Sequence, residues 1–149
     1  MHLPSMTANL DRVLAFVAAF DRRWPSEEEL RGLVAPDVRF VERPNLVNSA
    51  GSESDLNGML AGIETGRELL AWQSYEVLDH VVQGDLVVLR MRWSGALALD
   101  AGAWKRGTLL SAWCVGHYRL ERGLIAEIEQ HDGYDAPVLD LLADSAAAA

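Results

Sequence analysis

The sequence has one cysteine, Cys114, among its 149 residues, so it cannot form an intramolecular disulfide. A chain of this length is long enough to bury roughly 68 to 70% of the surface that its unfolded state exposes. It therefore needs neither a disulfide nor a metal ion to fold. The length predicts a single domain over residues 1–149, with a core over about 9–137 and a tail over 138–149.

Long apolar runs and clustered positive charge are also absent. The longest apolar run near the N-terminus, Val13 to Phe20, has about eight residues, whereas a bilayer-spanning helix needs roughly 20. The start of the chain lacks the basic region and apolar stretch of a secretory signal, which predicts a cytoplasmic protein. The net charge is -9 and the thirteen basic residues are scattered, so a nucleic-acid backbone would be repelled. The composition excludes membrane and nucleic-acid partners and favours a small neutral or apolar molecule.

Helical spacing is confined to the first half of the sequence. Apolar residues recur every three or four positions over about 9–23, and Pro25 follows, which predicts an amphipathic helix that ends there. Ser26 and Glu29 have the spacing of a capping box, which predicts a second, short helix over about 27–34. A third helix is predicted to end near Thr65.

From Trp72 onwards the apolar period changes to two, which is typical of strands. A shorter strand is predicted between the second and third helices, and four long strands follow in an antiparallel meander. This order is typical of an α+β domain in which helices cover one side of a curved sheet. The predicted strands cover about 37–42, 73–83, 86–97, 107–120 and 123–135.

Both faces of the predicted sheet carry apolar residues. Met91 and Trp93 belong to the apolar row of the 86–97 strand, which is predicted to face the core. On the 107–120 strand the outward row, which includes Leu109 and Trp113, is also largely apolar, and this is unusual for a solvated face. We therefore expect a homodimer that packs through the outer sheet face.

The last strand changes character along its length. Leu124, Ala126, Ile128, Gln130 and Asp132 share one face, which begins apolar and ends polar. An amide and a carboxylate on a face that otherwise packs the core indicate an open end of the core that is lined for a ligand. The neighbouring histidine of the strand should point to the other face, so it does not form a dyad with the aspartate.

Several short motifs follow one another along the sequence, namely Leu33-Val34-Ala35-Pro36-Asp37-Val38, Glu42-Arg43-Pro44-Asn45, Gln83-Gly84-Asp85, Arg92-Trp93-Ser94-Gly95, Gly123-Leu124-Ile125 and Asp132-Gly133-Tyr134. In this order and spacing they resemble the SnoaL-like branch of the nuclear transport factor 2-like superfamily. The resemblance implies a cone-shaped α+β barrel with three N-terminal helices packed on a curved, mainly antiparallel sheet around a pocket. Members include polyketide cyclases, ketosteroid isomerases, epoxide hydrolases and dehydratases, which need no cofactor, and domains that only bind or associate.

The chemical groups of the related isomerases are missing from this sequence. The resemblance places Phe16 at their oxyanion-hole tyrosine, Arg43 at their aspartate base, and Val115 or Gly116 at their aspartic acid. Losing one oxyanion donor can lower a rate by roughly two to three orders of magnitude, so enolisation by that mechanism is not expected.

The catalytic residues of the related epoxide hydrolases and cyclases include an aspartate that corresponds to a position on the last strand. The Arg-x-Asp pair of the epoxide hydrolases is replaced by Arg90-Met91-Arg92, and their last-strand aspartate falls on Gln130. The cyclases place an aspartate acid/base near the same position. Asp132 lies one pleat repeat away, about 6.6 Å, and is the candidate catalytic residue, as general acid/base. The alternative is that it only accepts backbone N–H groups at the Gly133 turn.

The remaining candidates are ligand-binding residues around the predicted pocket. Gln130, Glu42 and Asn45 would supply polar contacts, and Glu42 has the alternative of a salt bridge with Arg43 or a neighbour. The histidines have no ligand-like spacing, so no metal site is expected. Aromatic residues on an inner face are common core residues, yet they also suit a ring-containing ligand. The apolar candidates are Phe16, Met59, Tyr75, Met91, Trp93 and Tyr118.

Three functions remain open on the sequence. The first is a small-molecule-binding domain with a largely apolar pocket. The second is a cofactor-independent cyclase, isomerase or dehydratase that uses the pocket aspartate. The third is a non-catalytic association domain whose pocket is filled by its own side chains.

Overall fold

The structure, a computed structural model, describes residues 6–135, and within them the chain forms three helices and six strands. The α+β class predicted from the sequence is confirmed. The predicted tail over 138–149 lies outside the described residues. The helices are α1 (Met6–Ala18), α2 (Glu27–Leu33) and α3 (Leu56–Leu69), and the strands are β1 (Val34–Glu42), β2 (Ser52–Ser54), β3 (Leu70–Gln83), β4 (Leu86–Leu97), β5 (Leu109–Glu121) and β6 (Leu124–Tyr134).

The strands form one curved sheet in the order β2-β1-β6-β5-β4-β3. The pairing is antiparallel except between β1 and β6, which run parallel, so the expectation of a mainly antiparallel sheet is confirmed. The parallel pair is in register with Phe40 opposite Ile128 and Glu42 opposite Gln130. The first strand and the last strand therefore bring a carboxylate and an amide side by side.

The N-terminal end of α2 follows the local sequence, and the C-terminal end of α1 does not. The Ser26 hydroxyl accepts a hydrogen bond from the Glu29 amide at 3.1 Å, as the capping box predicts. The predicted end of α1 near residue 23 is wrong, because the helix ends at Ala18. The chain turns at Arg22, which has φ of 63°, and the Arg22 amide donates to the Gln73 carbonyl. A contact with β3 thus ends the helix five residues before the predicted position.

The third helix runs past its predicted end at Thr65 to Leu69. Gly66 lies within the helix, where it allows a close packing contact with Trp24. A Cβ atom at this position would lie 2.6 Å from Cη2 of Trp24. The missing side chain lets the indole pack directly against the helix and holds α3 above the sheet.

The core lies between the helices and the inner face of the sheet. The inward rows predicted for β4 and β5 are buried, and their side chains pack against α1 and α3. On β6 the predicted alternation fails at one point: Ile125 and Ile128 are both 0% exposed. The pairing with β5 shifts there and leaves Ala126 without a partner, which is a β-bulge. Beyond the bulge the alternation resumes, so that Ile128, Gln130 and Asp132 share the inner face.

Candidate functional site

A cavity of about 510 Å³ lies between the inner face of the sheet and the helices α1 and α3. The apolar side chains that line it include eight aromatic residues, and the polar side chains come from β1, β2, β3, β5 and β6. Its aromatic residues are Phe16, Phe20, Trp24, Phe40, Tyr75, Trp93, Tyr118 and Tyr134. Its polar residues are Glu42, Ser52, Ser54, Gln73, Cys114, Gln130 and Asp132.

The aromatic rings form a connected wall. The ring of Phe16 lies 5.1 Å from that of Phe20 and 6.0 Å from that of Tyr118, measured between centroids. The row continues to Trp24, whose centroid lies 6.3 Å from that of Phe20. These are the separations of edge-to-face and tilted aromatic pairs, which stabilise the rings in fixed orientations. The α1 side of the cavity is therefore a preformed aromatic surface.

Trp93 is fixed on the opposite side by a buried amide. Its indole N–H donates to Oε1 of Gln73 at 2.9 Å, and Gln73 is only 5% exposed. The Trp93 ring also makes an edge contact with Tyr134 at a centroid distance of 6.3 Å. Because the only polar group of the indole is already satisfied, the ring presents an apolar surface to the cavity.

Gly116 determines the position of Tyr118. A Cβ atom at residue 116 would lie 2.7 Å from the Tyr118 hydroxyl oxygen, so the tyrosine ring lies back along β5 over the glycine. Gly116 is paired with Gln130 on β6. The phenol is thus directed toward the polar end of the cavity, and any larger residue at position 116 would displace it.

Asp132 and Gln130 form the polar end of the cavity. The Gln130 amide Nε2 donates to both carboxylate oxygens of Asp132, at 3.0 and 3.3 Å. Cys114 is opposite Asp132 in the β5–β6 register. Burial and the neighbouring Asp132 carboxylate raise the pKa of the Cys114 thiol, so it remains protonated at neutral pH. The aspartate therefore has one amide and one thiol as close polar neighbours.

Glu42 also lines the cavity, and its partners are neutral. Its carboxylate accepts from the Asn48 amide at 2.6 Å and from the Ser52 hydroxyl at 3.5 Å. Arg43, the alternative partner expected from the sequence, instead donates to Glu129 at 2.8 Å. The Glu42 carboxylate thus keeps its negative charge uncompensated by the adjacent arginine.

Three phenols face this polar end. Burial raises the pKa of Tyr75, Tyr118 and Tyr134, and the negative charge of Asp132 raises each of them further. Glu42 contributes to the shift at Tyr134, which shows that both carboxylates act on one hydroxyl. The three hydroxyl groups therefore remain protonated at neutral pH and can donate hydrogen bonds to a ligand.

The structure brings most of the predicted site residues together around the cavity. Two of them lie elsewhere. Met91 is 1% exposed and belongs to the core below the cavity, because the neighbouring side chains cover it completely. Asn45 is not among the lining residues. The residues found in the lining are Asp132, Gln130, Glu42, Tyr75, Trp93, Tyr118, Phe16 and Met59.

Asn45 stabilises the loop that contains Asn48, which is the hydrogen-bond partner of Glu42. Its side-chain oxygen accepts from the amides of Val47 and Asn48 at 3.0 and 2.9 Å, and its amide group donates to the Arg43 carbonyl. Such a side-chain-to-backbone turn uses up the polar groups of the asparagine. Asn48, which sequence reasoning missed, is the residue of this loop that reaches Glu42.

Sequence reasoning also missed several lining residues that the strand and helix periods could have located. Gln73 is two residues from Tyr75, and Tyr134 is two residues from Asp132, so each shares a face with a predicted site residue. Phe20 follows Phe16 by one helical turn. The lining residues absent from the prediction are Val17, Phe20, Trp24, Phe40, Ser52, Ser54, Gly58, Gly62, Ile63, Gln73, Ala112, Cys114 and Tyr134.

Neither a metal centre nor a membrane span is evident in the part of the chain that the structure describes. Across residues 6–135, no three His, Cys, Asp or Glu side chains are grouped as they would be around a metal ion. Every helix in that range is too short or too polar to cross a membrane.

Comparison with known proteins identifies relatives at the level of family and fold. The profile of the SnoaL-like domain family matches residues 13–128. No curated protein sequence matches the chain significantly.

Solved structures resemble the chain over most of its length. IdmH from Streptomyces antibioticus, a candidate polyketide cyclase, has a TM-score of 0.72 at 23% identity, and the match covers 91% of this chain and 98% of IdmH. AclR from Streptomyces galilaeus, a candidate hydroxylase, has a TM-score of 0.71 at 20% identity, with coverage of 92% and 86%. A candidate SnoaL-like polyketide cyclase from Jannaschia sp. CCS1 has a TM-score of 0.71 at 20% identity, with coverage of 95% and 94%. At these identities the likeness shows a common fold.

Proposed function

The chain belongs to the SnoaL-like domain family, and from this premise we propose that it binds a small, largely apolar, ring-containing molecule in the cavity. The observation that carries the proposal is the cavity itself, about 510 Å³ in volume and walled by eight aromatic residues. This volume is within the range of about 300 to 1,000 Å³ that is typical of small-molecule sites. Flat aromatic walls favour a ligand with ring systems of its own.

The polar groups of the site support one orientation for such a ligand. Gln130, Asp132 and Glu42 lie near one another, since Glu42 is opposite Gln130 in register and Gln130 donates to Asp132. Burial and Asp132 raise the pKa of both Tyr75 and Tyr134, and Glu42 also raises that of Tyr134, so protonated hydroxyl groups are available as donors at this end. A ligand would therefore place its polar substituent at this end and its rings against the wall around Phe16.

A cavity-blocking variant tests the binding site. Gly62 lies on α3 in the cavity lining, is exposed at its rim, and has no atom within 4 Å of a built Cβ. The Gly62→Trp variant should place an indole in the opening and lower the affinity for the neutral fluorophore N-phenyl-1-naphthylamine at least tenfold. Fluorescence titration measures this affinity.

The matched control is the same substitution at Gly32. This glycine lies on α2, is exposed, has equally open space around a built Cβ, and is not among the lining residues. Gly32→Trp should bind the fluorophore as the wild type does. Equal affinities of Gly62→Trp and the wild type would place the binding site elsewhere, and a wild-type protein that binds no fluorophore would contradict the proposed function.

A second candidate function is a cofactor-independent cyclase, isomerase or dehydratase in which Asp132 acts as general acid/base. The observation that favours it is the position of Asp132 in the cavity, where its carboxylate accepts from Gln130 and adjoins protonated phenols. A carboxylate so placed can take a proton from an acidic C–H group while a phenol donates to the developing oxyanion. The third function, an association domain with a filled pocket, receives no support from an open cavity of about 510 Å³.

We also propose that the protein is a homodimer, with a second copy on the outer face of the sheet. Leu109 and Trp113 on that face are 66% and 51% exposed, which is unusual for large apolar side chains on the surface of a monomer. Several of the charges on the face are paired with each other, as in Arg90 with Asp79 and Arg43 with Glu129. Two copies can therefore approach through this face despite the net charge of -9 on each chain. A cytoplasmic location stays a prediction.

A further inference from the structure

We infer that the ring-containing ligand carries an amine, and that the cavity binds it as an ammonium cation between the aromatic wall and the carboxylates of Asp132 and Glu42. The inference rests on the proposed function, because it adds the charge of the ligand to the site that the function requires. It follows from the charges of the lining, their arrangement and the positions of the nearby arginines.

The charges in the cavity lining have one sign. Asp132 and Glu42 are both carboxylates, and none of the described residues in the lining is Lys, Arg or His. A site for an anionic ligand would need a basic side chain or a set of backbone amides directed at it. A neutral ligand would leave the two carboxylates of this partly enclosed site without a positive partner, and burial of an unpaired charge is costly. A cationic ligand removes this cost.

The two carboxylates lie at the same end of the cavity. Glu42 is opposite Gln130 in the parallel pairing of β1 with β6, and Gln130 donates to Asp132. The two negative charges also act on the same phenol, that of Tyr134. A single ammonium group between them would be attracted by both charges.

The hydrogen bonds that these carboxylates accept come from neutral groups. Gln130 donates to Asp132, and Asn48 and Ser52 donate to Glu42. Such bonds orient the carboxylates and leave their charges in place. The arrangement fits a preformed cation site, since it fixes the acceptors and needs a positive partner.

Three arginines that are adjacent in sequence to lining residues are bonded to carboxylates outside the cavity. Arg43, next to Glu42, donates to Glu129 at 2.8 Å. Arg23, next to the lining residue Trp24, donates to Glu29 at 2.5 Å. Arg92, next to Trp93, is bonded to Asp135 and stacks on Trp113 on the outer face. These three arginines are thus bonded to carboxylates other than those of Asp132 and Glu42.

The aromatic wall adds a second attraction for a cation. An ammonium group within about 6 Å of the face of a Trp, Tyr or Phe ring is attracted by the negative face of the ring. Tyr134 and Trp93 provide such rings beside the carboxylates, with their centroids 6.3 Å apart. The combination of aromatic rings and carboxylates selects organic amines over inorganic cations, because the rings also bind the apolar part of the ligand.

Three probes of nearly equal shape and different charge test the inference. At pH 7, 2-(aminomethyl)naphthalene is a cation, 2-naphthalenemethanol is neutral and 2-naphthoate is an anion. Isothermal titration calorimetry should give the amine at least tenfold higher affinity than the alcohol, and the naphthoate the lowest affinity of the three. Equal affinity for amine and alcohol, or a preference for the naphthoate, would overturn the inference and leave the proposed function standing.

Two charge-removing variants locate the effect. Glu42→Gln and Asp132→Asn should each weaken binding of the amine about fivefold or more, and by a clearly larger factor than they change binding of the alcohol. Retained binding of the alcohol also shows that each variant is folded. Glu28→Gln, which removes a charge from an exposed position on α2, is the matched control and should bind both probes as the wild type does.

The remaining outcomes are also decisive. An amine preference that survives in both variants would overturn the assignment of the carboxylates. If the wild type binds none of the three naphthalenes and no N-phenyl-1-naphthylamine, the proposed function fails together with the inference.

Discussion

Asp132 lies where the inner face of β6 changes from apolar to polar. Its carboxylate accepts two hydrogen bonds from one amide group, that of Gln130, and it faces the buried thiol of Cys114. The nearby phenols are held protonated by burial and by the aspartate itself. A carboxylate that takes a proton and a phenol that donates one are the two groups that enolisation of a ketone requires.

The Asp132→Asn variant tests whether this residue transfers protons. If Asp132 is a general base, the wild type should accelerate deuterium exchange at the carbon atoms next to the carbonyl of 2-tetralone in D2O. The asparagine variant should lose roughly 10² to 10⁴ of this acceleration, since an amide cannot accept the proton. Proton NMR follows the exchange.

The control for this experiment is Asp11→Asn, which removes a carboxylate from an exposed position on α1. It should exchange at the wild-type rate. Exchange that is equally fast in Asp132→Asn would exclude Asp132 as the base. A wild-type protein that gives no acceleration over buffer would count against the enzymatic alternative and leave the binding function unaffected.

At the scale of single residues, the sequence predicted the direction of a side chain where the alternation along one strand determines it. The inward position of Asp132 and Gln130 followed from alternation along β6, and the bulge that breaks this alternation at Ala126 lies before them. Asn45 could not be placed in this way, because it lies in a loop where the backbone amides of Val47 and Asn48 donate hydrogen bonds to its side chain. Loop geometry depends on such local hydrogen bonds and has no period.

At the scale of elements, the sequence predicted the existence and type of the helices and strands better than their ends. The strand β4 has the predicted bounds because its alternation reflects burial of one face. The end of α1 depends on a hydrogen bond from Arg22 to Gln73, more than fifty residues away. The bulge in β6 likewise depends on its register with β5. Contacts between distant segments decide such features, and no local pattern records them.

The end of β6 is fixed to its neighbours by one ion-pair cluster. Arg92 and Ser111 both donate to the Asp135 carboxylate, and the Arg92 guanidinium lies 4.4 Å from the centroid of the Trp113 ring. The hydrogen bonds from Arg92 and Ser111 lower the pKa of Asp135 below its ordinary value of 3.8. The cluster therefore joins β4, β5 and the residue that follows β6 at the outer face.

The lowered pKa makes a pH-dependent contribution to the free energy of unfolding. Because the folded-state pKa is below the unfolded-state value, Asp135 stabilises the fold above about pH 4, and this stabilisation is lost as the pH falls through the folded pKa. Asp135→Asn should lower the free energy of unfolding at pH 7 by about 1 to 2 kcal/mol. Urea denaturation at pH 7, 5 and 3 should show the difference from the wild type shrinking toward pH 3.

An exposed pair of the same chemistry provides the comparison. Asp79 pairs with Arg90 at 2.8 Å, but their side chains are 59% and 52% exposed, against 22% and 29% for Asp135 and Arg92. Exposed pairs are screened by solvent and contribute little. Asp79→Asn should therefore have a smaller effect than Asp135→Asn at pH 7. Equal effects, or a difference for Asp135→Asn that does not change with pH, would contradict the role given to the cluster.

At the scale of the whole molecule, the curved sheet separates the two proposed functions, ligand binding and dimerisation. Its inner face and the helices enclose the cavity, and its outer face carries exposed apolar residues between paired charges. Dimerisation through the outer face would leave the cavity free, since the cavity lining comes from the inner rows of the same strands. The structure thus allows ligand binding and self-association to be changed independently.

The Trp113→Glu variant tests the dimer at the centre of this face. Burial of a large aromatic side chain commonly accounts for about 2 kcal/mol or more of the binding free energy of an interface, and the introduced carboxylate would have to lose its hydration beside Arg92, whose guanidinium is already bonded to Asp135. Analytical ultracentrifugation should show a dimer for the wild type and a monomer for the variant. Val47→Glu is the matched control, because Val47 is 49% exposed, close to the 51% of Trp113, but lies in the loop after β1. A monomeric wild type, or a dimer that persists in Trp113→Glu, would exclude the proposed interface. Loss of the dimer with unchanged fluorophore binding would show that the two faces act separately.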